Sequence, residues 1–237
     1  MKMKLPQNCH KLWAIIPAAG SGSRFSKTQL KQYQMIQDKT VLEHTVARLN
    51  QLPLSGYVLA ISAQDDIAEN LALSHKDKAQ FCLGGNERVD SVLNGLIHLS
   101  SFADEDDLVF IHDAARPCVS VECLNNLINT ALEQNCSAIL AIPVRDTLKR
   151  VDHQDIQTTV DRDCLWQAQT PQISTIGTLR RAIEKALADG ITITDEASAL
   201  EYYGETVKVV TGRSDNIKIT YPEDLDLARL ILQAQSV

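Results

Sequence analysis

Trp13 to Phe25 reads WAIIPAAGSGSRF, and Lys31 follows closely behind it. A short apolar run that ends at Pro17 and opens into Ala18-Ala19-Gly20-Ser21-Gly22-Ser23-Arg24 predicts a buried strand delivering a glycine loop to a sheet edge. Small residues let successive backbone N–H groups turn inward on an anion, and Arg24 and Lys31 supply charge that amides only orient. The competing reading is a tight strand-to-helix turn with two solvated cations. A Walker loop is excluded, because Gly22 follows Gly20 after one residue and is succeeded by Ser23-Arg24 rather than Lys-Ser/Thr. The dinucleotide fingerprint is excluded as well, since Phe25 stands where a third Gly or Ala is needed.

Working outward, the chain of 237 residues is 44% hydrophobic, enough for one core that buries roughly 70–75% of the unfolded surface. A single domain over residues 1–237 is expected. The formal charge of −7 argues against general nucleic-acid or membrane-surface binding, so an anionic ligand must meet a local cationic pocket. The six cysteines (Cys9, Cys82, Cys118, Cys123, Cys136 and Cys164) form no C-x-x-C and read as reduced core thiols of a cytoplasmic protein. Lys2 and Lys4 precede an apolar run too short for a signal peptide, and the six histidines lack zinc-ligand spacing.

Thr40-Val41-Leu42-Glu43 predicts a capping box for a helix that reaches about Leu52. Strands are expected at Tyr57–Ser62, Ala79–Leu83, Leu108–Ile111, Ala138–Ile142 and Thr206–Val210. Helices are expected near Asp65–Leu73, at Glu87–Leu99, Val121–Leu132, Thr178–Asp189 and Glu196–Tyr203, and from Pro222 onward. This alternation implies an α/β fold whose parallel sheet is covered on both faces. Ligands then bind beyond the carboxyl ends of the strands, where the Gly20 loop, Gly84-Gly85 and Asp113 all fall. The alternation lapses between Arg145 and Gln172, where β-favouring residues flank His153-Gln154-Asp155 as in a projecting hairpin. An isolated hairpin is marginal in water, so this arm is expected to pack against a partner subunit.

Asp113, immediately after a strand, suits a Mg²⁺ held against phosphate oxygens, or else an ordinary loop aspartate. The cationic glycine loop at the same sheet edge favours the metal. Arg116 is open between an anion ligand and a structural ion pair.

Nine ordered blocks then carry a resemblance: PAAGSGSRF, LKQY (30–33), GGNERVDSV (84–92), HDAARP (112–117), PVRDTLKR (143–150), VDR (160–162), QTPQ (169–172), ITDEASALEY (193–202) and DNIKIT (215–220). They resemble the 2-C-methyl-D-erythritol 4-phosphate cytidylyltransferase family over nearly the whole chain. The resemblance implies a Rossmann-like nucleotidyltransferase sandwich, homodimeric through a β-arm at about 145–164. It also implies transfer of a cytidylyl group from CTP to a polyol phosphate in non-mevalonate isoprenoid synthesis, with Mg²⁺.

Position by position, the resemblance implies that Ala18, Ala19, Gly20 and Gly22 shape the CTP loop, and that Gly85 and Ser91 meet the cytosine edge. Arg24, Lys31 and Lys218 would stabilise the transition state, with Asp113 as the Mg²⁺ ligand. Arg116, Thr147, Arg162, Thr170 and Thr194 would hold the methylerythritol phosphate, some of them across the dimer. The chain departs from the family pattern at Phe25, Leu30 and Asn86, none of which is assigned a role. The alternatives are a cytidylyltransferase acting on ribitol 5-phosphate and a non-catalytic nucleotide-binding regulator.

Overall fold

A computed structural model describes residues 11–20, 22, 24–26 and 30–235. The reading of the N-terminus, Cys9, and the loop residues Ser21 and Ser23 lie outside the described residues.

The strand that begins the chain's order, β1 (Leu12–Pro17), lies inside a seven-stranded sheet. Past the short antiparallel ribbon of β2 (Met35–Ile36) and β3 (Lys39–Thr40), β1 pairs in parallel with β4 (Gly56–Ile61) on one side and β6 (Leu108–Ile111) on the other. Strands buried on both faces read as continuous apolar runs, which is why LWAIIP shows no polar alternation. The period of two still sorts its side chains. Leu12, Ala14 and Ile16 join one core, beneath α1 (Val41–Leu49) and α3 (Val121–Gln134). Trp13 and Ile15 join the other, beneath α2 (Arg88–Leu99), α4 (Ile176–Ala188) and α5 (Glu196–Tyr203). A fully buried side chain such as Ile15 or Ile16 contributes about 1.5–3 kcal/mol.

Local rules hold where they were legible. In the capping box at α1, the Glu43 N–H donates to Thr40 Oγ1 at 3.2 Å and the Thr40 N–H to Glu43 Oε2 at 2.7 Å. The helix stops at Leu49, three residues short of the expected end, and a turn carries the chain to Leu52. The hairpin also forms, from β8 (Leu148–Asp152) and β9 (Asp155–Val160), and its Val151 and Ile156 are exposed.

The sheet order places β5 (Ala79–Leu83) at one edge beside β4, and β1 next. The chain leaves β1 for β4 and β5, then returns through α2 to β6 on the opposite side of β1. That reversal opens a crevice beyond the carboxyl ends of β1 and β6. Beyond β6 come β10 (Trp166–Thr175), β7 (Ser137–Pro143) and β11 (Val207–Thr211).

Four differences from the sequence reading have physical causes. β10 is a ten-residue strand antiparallel to both β6 and β7, so the sheet is mostly rather than wholly parallel. Its pattern was obscured by Pro171, which falls in the register shift between Ala168 and Gln172, the kind of place where a strand tolerates proline. No helix spans Asp65–Leu73: the Asp65 carboxylate takes the N–H groups of Ile67 and Ala68, both at 3.0 Å, and only a 3₁₀ turn follows at Ala68–Asn70. The last helix, α6 (Asp224–Ala234), starts two residues after Pro222, because Asp224 accepts the N–H groups of Thr220 and Tyr221. Cys118 and Cys123 are buried and Cys82 and Cys136 half-buried, but Cys164 is exposed in the turn between β9 and β10.

Candidate active site

The glycine loop continues β1: the Ala18 N–H still donates to Ala60 O at 2.8 Å before the chain lifts off the sheet. Gly22 takes φ +62°, a conformation that costs other residues, and its carbonyl receives the Phe25 N–H at 2.8 Å. Buried Gln32 donates to Ala18 O at 3.0 Å and pins the loop from below. Lys31 lays its stem against Gly22 and donates its Nζ to Ile219 O at 3.0 Å. Burial lowers the Lys31 pKa, and the positive charges of Lys218, Arg24 and Arg116 lower it further against the pull of Asp113. This crowding of like charge is the signature of a site built for an anion.

The opposite wall comes from the β5–α2 turn. A side chain at Gly84 would sit 2.4 Å from Ala19 Cβ and 2.8 Å from Ser91 Oγ, so only glycine lets this turn close on the loop. Ser91 Oγ accepts the Gly85 N–H at 3.0 Å and donates to Glu87 O at 3.3 Å. Ala18, Ala19, Gly20, Gly85, Ser91 and Lys31 line one cleft.

Asp113, just past β6, is 6% exposed and surrounded by cations. Arg88 Nε approaches its Oδ1 at 2.9 Å, while Lys218 Nζ at 2.8 Å and Arg116 Nε at 3.5 Å approach its Oδ2. Burial alone would raise the pKa of this carboxyl, but Arg88, Lys218 and Arg116 more than offset it and hold the group well below the usual carboxylate range. Its backbone is fixed too. The Asp113 N–H donates to Thr170 Oγ1 at 3.0 Å, and Thr170 Oγ1 lies 3.0 Å from His112 Nδ1. Complete burial pushes His112 down to about 4, so the ring is neutral. Its Nε2, 3.0 Å from the Arg116 carbonyl, must carry the proton, which leaves Nδ1 to accept from the Thr170 hydroxyl.

A second cleft is lined by Arg116, Thr170 and Thr194. It adjoins the first along a shared wall of Arg88, Asp113 and Lys218. Arg116 is fastened to the Lys218 loop by its Nη1, which donates to Asn216 O at 2.7 Å. Buried Asn216 donates in turn to Thr170 O at 3.0 Å and Gln169 Oε1 at 3.2 Å. The blocks HDAARP, QTPQ and DNIKIT thus meet at one point of space.

Two adjoining clefts that share one carboxylate and two cations suit the joining of two phosphorylated molecules. The model of the 2-C-methyl-D-erythritol 4-phosphate cytidylyltransferase family matches residues 12–234. The chain belongs to this family.

A curated cytidylyltransferase of Acinetobacter baumannii (strain SDF) is 70% identical over 227 residues, 95% of each chain. A crystal structure of 4-diphosphocytidyl-2C-methyl-D-erythritol synthase superposes with a TM-score of 0.82 at 38% identity, covering 94% of this chain and 99% of that one. The Francisella tularensis cytidylyltransferase gives 0.81 at 35% identity, covering 93% and 99%.

Within this cytidylyltransferase, the structure gathers most of the residues singled out from sequence. Gly22 and Arg24 line neither cleft; Arg24 is exposed, yet near enough to Lys31 to oppose its charge. Thr147 and Arg162 also line neither cleft: both are exposed at the root of the arm, where Arg162 donates to the Arg145 carbonyl. Among the described residues no group of three or more His, Cys, Asp or Glu side chains converges as a metal cage. One buried carboxylate at the junction of two adjoining clefts nevertheless suits Mg²⁺, which binds through one or two carboxylates plus substrate phosphates and water.

Sequence reasoning passed over Arg88 and Glu196, which pair through Arg88 Nη1 and Glu196 Oε1 at 2.6 Å and Nη2 and Oε2 at 3.1 Å. A signal was present. Arg88 opens α2, where the helix dipole disfavours a cation, so a carboxylate elsewhere had to hold it.

Proposed function

We propose that this chain transfers the cytidylyl group of CTP to 2-C-methyl-D-erythritol 4-phosphate, giving 4-diphosphocytidyl-2-C-methyl-D-erythritol and pyrophosphate, the reaction for which its family is named. The observation that carries the reading is the wall of Arg88, Asp113 and Lys218 common to both clefts. CTP would occupy the first cleft, with its base toward Gly85 and Ser91 and its phosphates over the Gly20 loop. The polyol phosphate would occupy the second, against Arg116, Thr170 and Thr194. The α-phosphorus then lies where the clefts join.

A phosphate monoester is largely dianionic at neutral pH and attacks in line without a strong base. Among the described residues the nearby imidazole is not one: His112 is neutral, buried and committed at both nitrogens. Charge stabilisation is the remaining task, and Lys31 and Lys218 in the first cleft, with exposed Arg24 near Lys31, are the cations for it. A preorganised donor of this kind is worth about 3–4 kcal/mol in the transition state. Asp113 would hold Mg²⁺, and the ion would neutralise phosphate charge. Lys218, 35% exposed and lining both clefts, would then meet the phosphates with its ammonium.

The active form in this reading is a homodimer whose arms bring Thr147 and Arg162 to the neighbouring second cleft. Exposed Val151, Ile156 and Trp166 support it, being apolar surface that water alone does not favour. The cysteines among the described residues are all free thiols, which suits a reducing cytoplasm. Pyrophosphate release from CTP and Mg²⁺ tests the function, with methylerythritol phosphate and ribitol 5-phosphate in parallel. Release with ribitol 5-phosphate alone reassigns the substrate, and release with neither overturns the reading.

A further inference from the structure

Arg88 is the side chain that joins the two halves of the site. Its guanidinium is a planar fork, and three of its five N–H groups reach carboxylates on two other elements: Nε to Asp113 Oδ1, and Nη1 and Nη2 to the two oxygens of Glu196. Glu196 is 3% exposed and lies in the first turn of α5. Burying a carboxylate so deeply is costly unless it is paired. It lines neither cleft, so it has no direct access to a ligand there.

The helix that carries Glu196 is itself anchored. Asp195 caps α5 and accepts from Gln172 Nε2 at 2.9 Å, while Gln172 Oε1 receives the Ala197 N–H at 2.8 Å. Gln172 belongs to β10, the strand that also presents Thr170 to the Asp113 backbone. Asp113 is therefore fixed twice from the same strand: through Thr170 at its N–H, and through Gln172, α5, Glu196 and Arg88 at Oδ1.

Resting on the reading under Proposed function, we propose that Glu196 and Arg88 are positioning residues for Asp113. Arg88 occupies Oδ1, and Oδ2, faced by Lys218 at 2.8 Å and by Arg116 at 3.5 Å, is the oxygen that would serve the ion. Glu196 takes up most of the Arg88 charge through two of its N–H groups, so Asp113 keeps enough negative character to bind a divalent ion. Without Glu196, Arg88 is neutralised by Asp113 alone and that carboxylate becomes a poorer ligand.

The test uses the full-length protein with Mn²⁺ as the probe, followed by electron paramagnetic resonance in the presence of CTP, beside steady-state kinetics and thermal melting. Glu196→Gln keeps the volume and removes the charge; Arg88→Lys keeps the charge and removes the fork. Each is expected to lose about ten- to hundredfold in kcat or Mn²⁺ affinity, the usual effect of disturbing a partner behind a metal ligand. In Glu196→Gln the KM for CTP should stay near the parent value. Should Glu196→Gln not fold, Glu196→Asp, which withdraws the carboxylate by one methylene, is read the same way.

A merely structural pair would lower the melting temperature and leave kcat and Mn²⁺ affinity at the parent level in the folded variants, and that result overturns the proposal. An inactive parent overturns the functional reading instead, and the Mn²⁺ titration still decides whether Asp113 depends on Glu196.

Discussion

Lys218 Nζ stands 2.8 Å from Asp113 Oδ2, although 105 residues separate them in the chain. The strand end after β6 and the loop before α6 meet through this ion pair, and both clefts open beside it.

Asp113→Asn is expected to flatten the Mg²⁺ dependence and lower turnover together, since an amide lacks the charge that draws a hard cation. It also leaves Arg88, Arg116 and Lys218 facing one another around a neutral group. The destabilisation should be on the order of 2 kcal/mol, below the ~3–5 of a fully buried pair because Arg88 and Lys218 keep solvent contact. A Mg²⁺ titration and urea unfolding check both, and an unchanged Mg²⁺ response would make Asp113 structural.

Lys31→Ala and Arg24→Ala should each lower turnover by at least about a hundredfold, because each removes charge directed at the transition state. Stability should hardly move. Lys31 is crowded by other cations and Arg24 is exposed, so neither loss breaks a buried pair. Near-normal turnover in folded Lys31→Ala would remove that lysine from the mechanism.

His112 makes folding stability depend on acid. Its pKa falls from 6.5 to about 4 on folding, so the unfolded chain binds the proton more tightly and stability is full above pH 6.5. Between 6.5 and about 4 it should decline as pH falls, by roughly 3 kcal/mol in all. Urea midpoints across that window should show the slope, and His112→Asn should flatten it. An identical slope in the variant would assign it to other groups.

Deleting the hairpin tip at His153-Gln154-Asp155 should be tolerated, since the turn is polar and exposed. If the proposed homodimer is the active form, removing residues 145–164 should abolish dimerisation and turnover together, because Thr147 and Arg162 go with the arm. Sedimentation and kinetics on matched samples decide it: a folded, arm-less monomer working at the parent rate would leave the arm as packing only.

What the chain alone determined is local. An apolar run ending in Pro17 and a glycine loop make a strand that delivers small residues to an edge, and Thr40 with Glu43 makes a cap, because those contacts span a few residues. Asp113 was legible for the same reason, as a carboxylate right after an apolar strand. The position of β10 was not, since its antiparallel place between β6 and β7 depends on partners found only when the sheet assembles. Nor was the pairing of Arg88 with Glu196 across 108 residues, which no periodicity encodes. Tertiary structure decided it: both ions open helices whose packing brings them together inside the protein, where a buried charge must find its opposite.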